Sequence, residues 1–138
     1  MNYVELLKQN KLKATPQRLK IVEVLYMNGH LNIDDIYTVL KNSFPSISLA
    51  TIYKNINSMI EISFLSEVKI PQQKSVYELT KAEHAHVVCS KCNAILDIEL
   101  DTSDIVTQAS KLSHYNLEKS AIIFNGICSD CSSKSKEL

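Results

Sequence analysis

The sequence has 138 residues, 45% of them hydrophobic and 22% charged, a globular balance that excludes wholesale disorder and suits one medium domain or two small ones. Fifteen Lys and Arg balance fifteen Asp and Glu, which argues against a protein that coats nucleic acid indiscriminately. No apolar run reaches 18 residues, so no membrane span is expected; the opening MNYVELLKQNKLK lacks the apolar core and cleavage site of a signal peptide, and a cytoplasmic location is expected.

The charge is unevenly placed. Residues 1–80 carry nine basic and seven acidic side chains, and residues 81–138 carry six and eight. The first twenty residues hold Lys8, Lys11, Lys13, Arg18 and Lys20 against Glu5 alone. A basic end on a neutral chain suits a localised anion contact, although a solvated charged face gives the same pattern.

In chain order, Thr15 can cap a helix that Pro16 opens, with Leu19, Val22 and Tyr26 at helical spacing and Gly29 past its end. A second helix carries Ile33, Ile36, Tyr37 and Leu40, with Pro45 beyond it. A third is capped by Ser48 and runs to about Glu61, with Leu49, Ile52, Tyr53 and Ile56 on its apolar face. Thr51, Lys54, Asn55 and Ser58 form its polar face. Two β-rich runs, 65–70 and 76–79, flank a polar loop and read as a hairpin. Three helices and a hairpin follow the order of a winged helix-turn-helix. With the basic end, this favours DNA binding over a neutral helical core. The polar face of the third helix would then enter the major groove, with Lys13 and Arg18 on phosphate.

Residues 80–83 read as a hinge. Beyond it, Leu96, Ile98 and Leu100 alternate with Ile95, Asp97 and Glu99 as a half-buried strand. Residues 103–112 predict an amphipathic helix with Ile105, Ala109 and Leu112 on one side. Residues 121–124 predict a buried strand, and 132–138 a fraying polar tail. A unit of under 60 residues has little core, so a staple or a partner is expected. The expected class is α+β: a winged helix-turn-helix over 1–80 and a small α/β domain over 81–138.

Cys89-x-x-Cys92 and Cys128-x-x-Cys131 supply the staple. Thiols in such a chain are metal ligands or free thiols before they are disulfides. Four sulfurs from two knuckles suit one tetrahedral structural Zn²⁺. A thiol-disulfide oxidoreductase is the alternative of another class. It would need a CxxC opening a helix, and neither pair is expected there. His84-Ala85-His86 precedes Cys89; on a strand both imidazoles share a face and Cys89 falls on the other. The pair can bind one ion or stand exposed to solvent. His30, at the start of the second helix, and His114 read as surface histidines from position alone.

Thr15-Pro16-Gln17-Arg18, Gly29-His30, Asp34-Asp35-Ile36-Tyr37, Ser48-Leu49-Ala50-Thr51-Ile52-Tyr53, His84-x-His86 and the two CxxC pairs together resemble the ferric-uptake-regulator (Fur) superfamily of metal-dependent repressors. The resemblance spans nearly the whole chain. It implies a homodimer, joined through the C-terminal domain, that binds a palindromic double-stranded operator when loaded with metal. It implies Tyr53 at DNA, and a regulatory site of His30, Glu78, His84, His86 and Asp97. Three imidazoles and two carboxylates suit Fe²⁺ or Mn²⁺. Asp97 favours the peroxide-sensing branch, in which iron and peroxide oxidise a ligating histidine, here His30 or His84. Glu78 leans towards iron-uptake regulation. A further site beside the H-x-H, common in the iron-uptake type, looks incomplete with Glu83 and Ala85 at the flanks. Zinc-uptake regulation stays open as a further alternative within the family, although such regulators tend to use a thiolate and all four cysteines are already assigned.

Overall fold

Local capping marks out the helices of the N-terminal half. The computed structural model describes residues 2–81, 84–118 and 120–136. Helix α1 (Tyr3–Gln9) starts where the Asn2 side chain accepts the Glu5 N–H at 3.1 Å. Thr15 accepts the Arg18 N–H at 3.3 Å to cap α2 (Pro16–Asn28), and Gly29 ends that helix at a φ of +81°, which strains any other residue. Asn32 caps α3 (Ile33–Ser43), and Ser48 caps α4 (Leu49–Glu61) through the Thr51 N–H at 3.1 Å. The expected helices and caps are all present. Helix α1 was not foreseen, although Asn2 three residues before Glu5 is a start signal.

One apolar core joins these elements. Leu7, Ile21, Leu25, Ile36, Leu40, Ile52, Ile56 and Met59 are fully buried. The hairpin pairs β2 (Leu65–Val68) with β3 (Val76–Leu79) in antiparallel register, Leu65 opposite Leu79 and Val68 opposite Val76. A two-residue strand absent from the sequence reading, β1 (Leu31–Asn32), adds to the other edge of β3. His30 therefore stands between the Gly29 cap and β1, not at the start of a helix.

The chain divides into two compact units, Met1–Thr80 and Lys81–Leu138. Of the expected hinge, Ala82 and Glu83 lie outside the described residues, and so does Glu83 as a flank of the further site. The second unit contains β4 (Ala85–Cys89), β5 (Ile95–Ile98), α5 (Ser103–Ser113), β6 (Ile123–Gly126) and α6 (Ser129–Lys136). Strand β4 is central, antiparallel to β5 and parallel to β6. Opposed residues share a face, so Leu96, Val87 and Phe124 form one row, while His86, Asp97 and Ile123 lie on the reverse.

Three expectations need correction here. Leu96 is 62% exposed, and its strand ends at Ile98. The last strand is Ile123–Gly126, with Phe124 45% exposed rather than buried. The polar tail is helical as far as Lys136, because Cys128 and Cys131 anchor its first turn; Glu137 and Leu138 lie outside the described residues. Helix α5 forms as expected but buries no side chain, and Ile105 and Leu112 are exposed.

The N-terminal core carries that unit's stability. Ile56→Ala removes a fully buried side chain at the centre of α4 and should cost roughly 2–5 kcal/mol. Urea unfolding followed by far-UV circular dichroism measures the loss; a change under about 1 kcal/mol contradicts this core.

Candidate metal centres and nucleic-acid interface

Cys89 ends β4, where the chain turns at once: its carbonyl accepts the Asn93 N–H at 2.9 Å, and Asn93 is left-handed at a φ of 63°. Cys92 lies within that turn. Cys128 directly precedes α6, and Cys131 lies in its first turn. The second CxxC therefore opens a helix, contrary to the expectation that neither would. What separates this site from a redox pair is that all four Sγ atoms come within 4.8 Å of one another. The Cys92–Cys128 sulfur separation is 3.8 Å. Four tetrahedral sulfurs around an ion at ~2.3 Å are themselves roughly 3.8 Å apart.

The electrostatics fit a cation as well. The N–H groups of Cys128 and Cys92 point at the Cys89 sulfur at 3.4 and 3.5 Å. These bonds, with one from Lys91, hold its thiol down to about 6. The neighbouring Cys128 sulfur first, and desolvation second, push Cys131 up to about 12. Sulfurs this close cannot all be thiolates without a cation to share. All four are free of disulfides. The donor set fits a structural Zn²⁺ closed by four ligands.

Each unit also holds a group of histidine and carboxylate donors. In the first, Glu78 on β3 is 2% exposed, and its Oε2 lies 3.8 Å from His30 Nε2. A carboxylate so buried needs positive charge or hydrogen bonds around it. In the second, His86 on β4 is 6% exposed and stands opposite Asp97 on β5. His86 Nε2 lies 3.2 Å from Asp97 Oδ1 and 3.1 Å from His84 Nε2. Adjacent nitrogen ligands at ~2.1 Å from an ion and at right angles to it are roughly 3.0 Å apart. Imidazole and carboxylate donors gathered in this way fit a regulatory divalent metal. Lys81 also pairs with Asp97, through Oδ2, a contact across sixteen residues that no sequence pattern signals. His114 is the left-handed residue closing α5.

On α4, Thr51, Lys54 and Tyr53 are exposed, Tyr53 at 39%. Tyr53 is thus at the edge of the apolar face, partly open to solvent. Asn55 and Ser58 are half-buried and bonded locally: Asn55 Nδ2 donates to the Thr51 carbonyl at 3.0 Å, and Ser58 Oγ to the Lys54 carbonyl at 2.9 Å. Lys13 is exposed and Arg18 half-buried. The sequence reading passed over Asn57, which is exposed on the same helix; its spacing of four from Tyr53 was the available signal.

Such a fold, with a four-sulfur centre, a hard donor set and an exposed polar helix, defines a metalloregulator. The ferric uptake regulator family model matches residues 9–125, and the chain belongs to that family. It is 33% identical to the peroxide operon regulator of Bacillus subtilis strain 168, covering 95% of this chain and 92% of the relative. It is 31% identical to the ferric uptake regulation protein of the same strain, covering 95% and 93%. The crystal structure of the Campylobacter jejuni peroxide stress regulator superposes with a TM-score of 0.73 at 35% identity, covering 95% and 100%. Members of the family are metal-dependent transcriptional regulators that bind operator DNA as dimers; they are not enzymes, which sets the oxidoreductase reading aside.

Metal analysis of the purified wild type should find one Zn²⁺ per chain. Cys89→Ser and Cys128→Ser should each retain almost none and lose the cooperative unfolding of residues 81–138. A zinc-free wild type that unfolds as stably as the loaded one contradicts the assignment.

Proposed function

We propose that this chain is a cytoplasmic repressor of peroxide-defence genes. It acts as a homodimer on a palindromic double-stranded operator and is derepressed when iron and peroxide oxidise a ligand histidine. The observation that carries this reading is the convergence of His84, His86 and Asp97 on one face of the β4–β5 pair, with aspartate as the carboxylate. His30 and Glu78 complete the proposed donor set from the DNA-binding unit. An ion held by both sets restricts the freedom of one unit relative to the other. A ligand that binds only the restricted form shifts the population towards it.

Three imidazoles and two carboxylates favour Fe²⁺ or Mn²⁺ over a soft metal. His30, Glu78, His84, His86 and Asp97 would hold such an ion with five protein donors, fewer than the six that Fe²⁺ or Mn²⁺ would take. Fe²⁺ there would supply the reduction of hydrogen peroxide, and the chain's part is to hold His30 or His84 where an oxygen atom can be accepted. Lys13, Thr51, Tyr53, Lys54 and Ser58 are the proposed DNA contacts, while Arg18 and Asn55, the other two expected from sequence, are bonded to each other.

Mass spectrometry of the iron-loaded protein after peroxide tests the peroxide reading. The expected result is one added oxygen on His30 or His84, absent with Mn²⁺, together with loss of operator binding. Asp97→Glu should slow the oxidation while keeping metal-dependent binding. Iron-uptake regulation is the second reading. Glu78 favours it, and it stands if binding follows Fe²⁺ supply with no histidine oxidation.

Dimerisation is proposed through the apolar side of the second unit. Leu96, Val87 and Phe124 form a row on the sheet, and Leu96 and Phe124 are exposed. Leu96→Asp should convert the protein to a monomer in sedimentation at micromolar concentration with its zinc retained. A dimer unchanged by that charge places the interface elsewhere.

A further inference from the structure

The half-buried Arg18 side chain is bonded within the protein. Its Nε donates to Asn55 Oδ1 at 3.1 Å, and its Nη1 donates to the Lys13 carbonyl at 3.0 Å. That carbonyl also accepts the Thr15 N–H at 3.0 Å. From Asn55 the chain of bonds continues through Nδ2 to the Thr51 carbonyl, and Thr51 meets Ser48 at the start of α4. One line of hydrogen bonds therefore runs from the basic N-terminal segment, across α2, into the helix proposed to read DNA.

We propose that Arg18 and Asn55 are positioning residues that clamp the Lys13 segment to α4, so that Lys13 and the exposed Tyr53–Lys54 surface meet DNA at a fixed spacing. Three features carry this. The planar guanidinium offers its donors in a rigid fork, so two of them on separate segments fix both. Asn55 is half-buried, with its carbonyl directed to Arg18 and its amide to its own helix, which is the posture of a brace. Lys13 is held through its backbone carbonyl while its side chain is exposed, so its ammonium can reach phosphate. The inference rests on the reading of α4 as the DNA-binding helix, but the clamp itself can be detected without DNA.

Two measurements test it, both on the full chain. In nitrogen-15 NMR, the Arg18 Nε–H should exchange slowly with solvent in the wild type and rapidly in Asn55→Ala. Exchange as fast as in an exposed arginine overturns the clamp. For the second, a 30-bp duplex is selected from a random pool by the Mn²⁺-loaded wild type. Arg18→Ala, Arg18→Lys and Asn55→Ala should each weaken binding to it about tenfold, and Arg18→Ala combined with Asn55→Ala no further, because both break one link. Reselection with Asn55→Ala should return the same sequence. Additive losses, a changed base preference, or an Arg18→Lys variant that binds like the wild type would show separate DNA contacts and overturn the proposal. If no duplex is enriched, the DNA-binding reading of α4 falls, and the exchange rate alone decides the clamp.

Discussion

The second unit depends on a cross-link. Among its described residues, the buried side chains are those of Ala85, His86, Val88, Cys89 and Thr102, which is too little apolar surface to hold three strands and two helices. The four sulfurs tie the end of β4, the turn after it and the first turn of α6 to one point. A Zn²⁺ bound there would supply as folding free energy what the missing core does not. The exposed row on the sheet follows from the same shortage: among the described residues, Leu96 stays 62% exposed and Phe124 45%.

The alternation of β4 then divides two kinds of metal chemistry. Cys89 and His86 are three residues apart, so their side chains leave opposite faces of one strand. Soft sulfur gathers at the strand's end, and hard nitrogen and oxygen gather on the reverse face near its start. An ion suited to one set is poorly suited to the other. Because both sets are anchored on β4, a zinc ion at that strand's end would also steady the strand from which His86 meets Asp97.

Legibility followed the range of the interaction. Caps and apolar periodicity act within four residues, and Thr15, Ser48 and the apolar stripes of α3 and α4 were read correctly from sequence. The paired CxxC spacing was also legible, because two knuckles state their ligands outright. Strand β1 was not, since two residues have no periodicity and exist as a strand only through β3. The exposure of Leu96 and Phe124 was misread because alternation reveals which residues share a face and not which face is covered. Helix α6 looked like a tail because its residues are polar, and its order comes from cysteines whose partners are about forty residues upstream. The Arg18–Asn55 bond spans 37 residues and likewise left no pattern to read.

A neutral chain that binds DNA leans on geometry. Phosphate contacts dominate affinity for nucleic acid and scale with the number of cations brought to the backbone. This chain has no surplus of cations overall, and its local excess lies in the first twenty residues. A strongly basic protein would remain on DNA after a hinge loosened, because its charge would still hold it. A protein with few cations to spare must make its contacts together, so a loss of fixed spacing would remove several at once. Release through the failure of one ligand would follow from that, and it suits a metal-dependent regulator. The internal bracing of Arg18 meets the same requirement at shorter range, since it uses part of a cation's bonding to set where the others stand.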